Sequence, residues 1–85
     1  MIQVQTAVYA ENCFAPTPMP TIAQECDGKS SCTYVVNTGN KDPKGDPAPG
    51  CWKDLDVDYL CGSELKNSYT TMVHDNLEIV LECCT

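Results

Sequence analysis

Residues 45–61, GDPAPGCWKDLDVDYLC, hold a proline-rich turn, two cysteines, the lone tryptophan and a strand of strict alternation. In residues 54–59, Leu55, Val57 and Tyr59 fall on one face and Asp54, Asp56 and Asp58 on the other. A period of two marks a half-buried strand with one face in water. The preceding Asp46-Pro47-Ala48-Pro49-Gly50 is neither helix nor central strand, because two prolines remove donors and fix the backbone. An ordered loop is therefore expected ahead of the strand, presenting Asp46, Gly50, Trp52 and Lys53 near one rim.

Outward from this stretch, the 85 residues suffice for one domain, residues 1–85. A core of that size is only marginally stable alone. Seven cysteines, about 8 % of the chain, make a disulfide scaffold the expected support. Each bridge typically adds about 2–4 kcal/mol. Disulfides persist outside the cytosol, so a secreted protein is expected. Met1-Ile2-Gln3 has no basic segment or long apolar run after it, so the sequence reads as a mature domain, or a domain of a longer secreted chain with Met1 added for expression. No stretch is long enough to span a membrane. A net charge of −7 argues against nucleic acid and anionic membrane surfaces as partners, but not against neutral sugars or a basic protein.

Residues 2–9, IQVQTAVY, alternate and are rich in β-formers, which predicts a strand with Ile2, Val4, Thr6 and Val8 on one face and Tyr9 at its end. Residues 10–20 read as a loop anchored by Cys13, with Pro16, Pro18 and Pro20 opposing regular structure. Thr21 and Gln24 have the spacing of a capping box, so a short helix is expected from Thr21 to about Cys26, stopped by Asp27-Gly28. A local bridge between Cys26 and Cys32 would tie the helix end to a second strand, residues 32–36. Metal binding is a weaker reading of that pair, since the spacing is not Cys-x-x-Cys and the chain has one histidine. Residues 63–75 read as a polar connector, and residues 77–83 as a last strand with Leu77, Ile79, Leu81 and Cys83 facing one way.

Asp54, Asp56 and Asp58 repeat at about 7 Å along one strand face, which lines a surface and does not converge on a calcium ion. His74 has no nucleophile beside it and reads as a surface residue. No Ser/His/Asp or Cys/His arrangement with a local signature occurs, so the expectation is a protein that is not an enzyme and uses no cofactor. Trp52 either stacks on a ligand or plugs the small core, the core role being the stronger reading. Asp46 and Lys53 either form a surface ion pair of small worth or act together on hydroxyls. In the latter case the carboxylate accepts and the ammonium donates, gripping two neighbouring hydroxyls of a sugar. Gly50 would allow close approach of the ligand to the backbone.

Gly45-Asp46-Pro47, Gly50 and residues 53–61, KDLDVDYLC, resemble in order and spacing the sea-urchin-egg-lectin type, or rhamnose-binding lectin, domain. Residues 7–10, AVYA, are similar to that family's Ala-Asn-Tyr-Gly, and residues 26–32, CDGKSSC, to its Cys-x-Gly-Lys-x-x-Cys. The similarity runs from about Ile2 to Cys61. It implies a small disulfide-rich α/β (α+β) domain of antiparallel strands with one short helix. It also implies binding of L-rhamnose or D-galactose without metal, through Tyr9, Asp46, Gly50 and Lys53, with a pocket asparagine at Asn37 or Asn40.

The chain departs from that pattern in three places. Ala10 replaces a glycine, and the cysteine after Asp-Pro is moved to position 51. The family's first strand pair, which carries an acidic sugar ligand and two cysteines, is absent ahead of Ile2. The resemblance then suggests that the last strand fills the vacant place, with Asp75 near the missing acid. Bridges Cys26–Cys32, Cys61–Cys83 and Cys13–Cys51 follow from it, out of about 15 pairings open to six cysteines. Cys84 is left odd, either free or paired between chains. The reading is a lectin module for mono- or oligosaccharides, carried in several copies, in an oligomer or on a larger chain. A protein-recognition domain on the same scaffold is the alternative, and a disulfide-rich inhibitor or toxin a third.

Overall fold

The structure is a computed structural model and describes residues 1–36, 48 and 50–83. Strand β1 (Ile2–Tyr9), a 3₁₀ turn (Glu11–Cys13), a two-residue strand β2 (Thr17–Pro18), helix α1 (Pro20–Cys26) and strand β3 (Ser31–Val35) form the first half. Strands β4 (Lys53–Cys61), β5 (Glu64–Val73) and β6 (Glu78–Glu82) form the second. They make a four-stranded sheet in the order β2-β1-β4-β5 and a two-stranded sheet, β3-β6, with every neighbouring pair antiparallel. This is a small α+β domain with three disulfides.

The alternation of β4 places Leu55, Val57 and Tyr59 in the interior and leaves its aspartates half-buried on the other face. The interior is completed by Ile22 and Cys26 of α1, Tyr34 of β3 and Ile79 and Leu81 of β6. Helix α1 packs against both β1 and β3. The Tyr59 hydroxyl donates to the Glu82 carbonyl (3.2 Å), and Cys61–Cys83 joins β4 to the residue that follows β6, so β4 is tied to the small sheet and its end twice. Cys26–Cys32 links α1 to β3, and Cys13–Cys51 links the 3₁₀ turn to the segment before β4. The Ile2 amide donates to the Lys29 carbonyl (2.7 Å) and the Cys83 amide to that of Ser30 (2.9 Å), which sets Ile2 and Cys83 side by side.

Several sequence expectations need correction. Strand β1 does not keep one period: the pairing shifts between Val4 and Thr6, so Gln5 is an extra residue in the ladder. This bulge turns Thr6 outward, and it is Ala7 and Tyr9, not Thr6 and Val8, that join Ile2 and Val4 against the core. Residues 10–20 are not all loop, since Glu11–Cys13 forms a 3₁₀ turn and Thr17–Pro18 pairs with the end of β1. Helix α1 starts at Pro20 with Met19 as its N-cap and no side-chain cap bond. Proline is favourable at the first helical position because that amide has no intrahelical partner. The Thr21 hydroxyl, read as a cap, instead hydrogen-bonds the buried Tyr34 hydroxyl (2.7 Å). The largest departure is β5, which runs through the stretch read as a connector and pairs with nearly all of β4.

Candidate functional site

Tyr9 is the last residue of β1, and the Gln5 bulge is what brings it inward opposite Leu55. The next residue, Ala10, takes a left-handed φ of 67° and donates its amide to the Asp54 carbonyl (2.9 Å), which holds the strand end against β4. Lys53 opens β4 and shares the parity of Leu55, Val57 and Tyr59, so the strand buries its ammonium-bearing side chain to 7 % exposure. A buried cation needs a partner, and the Lys53 Nζ donates to the Cys51 carbonyl (2.8 Å).

Across from Lys53 stands Val73, its partner at the end of β5. A second register shift lies between Lys53 and Leu55, with Thr71 and Met72 opposite Asp54 alone and Met72 at φ 55°. The bulge re-aims the end of β5 so that Val73 is buried and the chain continues into a turn. That turn closes with the Leu77 amide on the His74 carbonyl (3.2 Å), and Asn76, at φ 70°, occupies its third position. Asparagine tolerates that conformation better than most residues. The turn is also stitched to the end of β3, where the Asn76 amide donates to the Val36 carbonyl and the Val36 amide to that of Leu77.

Between these elements lies a cleft of about 410 Å³. Tyr9, Gly50, Lys53 and Asp75 line it together, although they come from opposite ends of the sequence. Trp52, Val73 and His74 complete its walls with the Cys51 backbone. Gly50 sits in a turn closed by the Cys51 amide on the Ala48 carbonyl (3.1 Å), at φ 81°. Glycine is required there for its backbone angle, since a Cβ at that position would meet nothing within 4 Å. Asn37 and Asp46, the remaining residues expected in the pocket, lie outside the described residues, as does Cys84.

Trp52 does not plug the core. It is 65 % exposed and stands at the mouth of the cleft. Its parity shows why: Trp52 falls in phase with Asp54, Asp56 and Asp58, on the outer side of the strand direction. Asn12, which the sequence did not single out, clamps this segment with both ends of its side chain. Its Nδ2 donates to the Trp52 carbonyl (2.8 Å) and its Oδ1 accepts from the Asp54 amide (2.9 Å). Its position beside bridged Cys13 is the one sequence signal that could have pointed to it. His74 is exposed on the cleft wall, with Nδ1 2.8 Å from the Asp75 carbonyl oxygen.

The three aspartates of β4 serve the outer face of the sheet. Asn67 Nδ2 donates to both Asp56 Oδ1 (2.6 Å) and Asp58 Oδ1 (2.7 Å), Thr6 donates to Asp58, and the Tyr69 hydroxyl to Asp54. Among the described residues no group of three or more His, Cys, Asp or Glu is placed to hold a metal ion. None of the described helices is long and apolar enough to cross a membrane.

The chain is similar to several known proteins, three of them lectins. It is 40 % identical over 52 residues, 60 % of its length, to an L-rhamnose-binding lectin of Oncorhynchus keta, of which the match covers 16 %. It is 40 % identical over 55 residues to a rhamnose-binding lectin of Silurus asotus, covering 64 % of the chain and 17 % of that protein. It is 37 % identical over 49 residues to a D-galactoside-specific lectin of Heliocidaris crassispina, covering 58 % of the chain and 44 % of that protein. The chain thus spans less than half the length of each of these. No family model matches the chain, and no solved structure is significantly similar. The likeness read from its motifs is therefore matched by sequence identity over about three-fifths of the chain, which is similar to rhamnose-binding and D-galactoside-specific lectins.

Proposed function

We propose that the chain is a secreted, non-catalytic carbohydrate-binding module for L-rhamnose- or D-galactose-type sugars. The observation that carries this reading is the convergence of Tyr9, Gly50, Lys53 and Asp75 on one cleft, in a chain related to lectins whose names specify those two sugars. The Lys53 ammonium donates to one ring hydroxyl and the Asp75 carboxylate accepts from a neighbouring one, each as a charge-assisted hydrogen bond. The Tyr9 ring closes one side, and Gly50 leaves room for a hydroxyl next to backbone. Asp46 and Asn37 add a second carboxylate and an amide. Asp75, in the turn of residues 74–77, is the acidic ligand of the described cleft. No metal takes part, because an ammonium and carboxylates together satisfy both the donor and acceptor sides of a diol. One small polar cleft binds weakly, so useful avidity comes from several copies on a longer chain or an oligomer.

A glycan array with competition by free rhamnose and galactose tests the reading, and chelation with EDTA should leave the binding unchanged. Lys53→Met, Asp75→Asn and Asp46→Ala should each weaken binding by about ten-fold or more, the loss of one charge-assisted hydrogen bond, with thermal midpoints near that of the unmodified protein. An array with no rhamnose- or galactose-terminated ligand retained, or three variants that bind as the parent does, would overturn the assignment.

A further inference from the structure

Trp52 has no role in the single-ring reading above, yet its placement is that of a built contact. The indole is 65 % exposed, while the backbone that carries it is fixed from three sides. Cys51 before it is bridged to Cys13, its own carbonyl accepts from Asn12, and Lys53 after it is paired in the sheet. An exposed aromatic on a rigid backbone is a binding platform, since its contact area is presented with little ordering left to do. Across the Cys13–Cys51 bridge, Phe14 follows Cys13 at φ 57° and is 96 % exposed. Two large apolar side chains are therefore left in water next to one disulfide in sequence, and one of them, Trp52, lines the cleft that also holds Lys53. The cleft, at about 410 Å³, lies within the range of about 300–1,000 Å³ that encloses drug-sized ligands and exceeds what one pyranose ring fills.

We infer that the site takes at least a disaccharide, with a terminal sugar held at Lys53 and the apolar C–H face of the next ring stacked on Trp52. Polar sugars carry such faces because their hydroxyls lie around the ring edge, and an aromatic face is the surface that receives them without requiring a directed hydrogen bond. This rests on the carbohydrate-binding reading and adds the ligand class: an oligosaccharide end, and not a free monosaccharide.

Calorimetric titration with galactose, lactose and melibiose separates the two claims. The parent protein should bind one of the disaccharides about ten-fold more tightly than galactose, the scale of one aromatic stacking contact. Trp52→Ala should weaken the favoured disaccharide about ten-fold more than it weakens galactose, so that the difference disappears, and Trp52→Phe should retain part of it. Because Trp52 is the single tryptophan, its own fluorescence should change more with the favoured disaccharide than with galactose. Equal affinities for galactose and both disaccharides in the parent protein, or equal loss of mono- and disaccharide binding in Trp52→Ala, overturn the stacking role and leave the monosaccharide reading standing. Failure to bind any of the three, or rhamnose, removes both.

Discussion

Lys53 is the one buried charged side chain among the described residues, and its burial follows from parity alone. It lies in phase with Leu55, Val57 and Tyr59, so the strand that buries those three buries it too. The cation is therefore legible in the sequence as a site residue, for a reason that needs no resemblance. Replacing a buried, partnered charge by an apolar side chain of similar volume is often neutral or stabilising. Lys53→Met should accordingly keep or raise the urea midpoint while removing sugar binding, whereas Lys53→Ala leaves a cavity and should lower the midpoint. Trp52 shows the same rule neglected: counted from Asp54 it points outward, and a lone tryptophan beside a small core is no ground for overriding the count. Tyr34 was beyond such reasoning, since only the packing of α1 on β3 brings Thr21 to its hydroxyl. Tyr34→Phe should cost about 1 kcal/mol, the net worth of one hydrogen bond, read as a lower urea midpoint with sugar affinity unchanged.

The two bulges explain which elements were legible. Strand β4 has no extra residue within residues 55–61 and its alternation is read directly. Strand β1 hides one extra residue, and a pattern that reads apolar at positions 2, 4, 6 and 8 conceals the true inward set. Strand β5 was missed because its inward-leaning residues over the middle of the strand are Lys66, Ser68 and Thr70, while Leu65, Tyr69 and Met72 are exposed. A strand whose hydrophobic residues face water carries no amphipathic signal of the usual sense. Its remaining cues were the Gly62-Ser63 pair, of hairpin type, and the threonines, tyrosine and valine near its end. The register makes a sharp prediction. Deleting Gln5 removes the bulge and leaves Tyr9 opposite Leu55, so the variant should fold and bind sugar like the parent. Deleting Asp56 shifts Leu55 and Lys53 to the outer face and should give an unfolded chain by circular dichroism.

Three bridges close loops of different length in the whole molecule, with sequence separations of 38 for Cys13–Cys51, 22 for Cys61–Cys83 and 6 for Cys26–Cys32. Chain-entropy reasoning gives losses of about 4, 3.5 and 2 kcal/mol when each is replaced by two alanines. The denaturant midpoints of the three double variants should fall in that order, lowest for Cys13→Ala with Cys51→Ala. That pair should also lose the disaccharide preference, because it frees the segment that carries Trp52. Ile2 and Cys83 lie at the pole away from the cleft: β1 begins beside Lys29 and runs eight residues, roughly 26 Å at strand rise, before reaching Tyr9. Since Ile2 and Cys83 hydrogen-bond to the consecutive carbonyls of Lys29 and Ser30, a short peptide could splice them. New termini could then be opened at the Gly62-Ser63 hairpin. Tethered to a bead or a sensor chip through the spliced pole, the domain would stand upright with its recognition face turned to the solution.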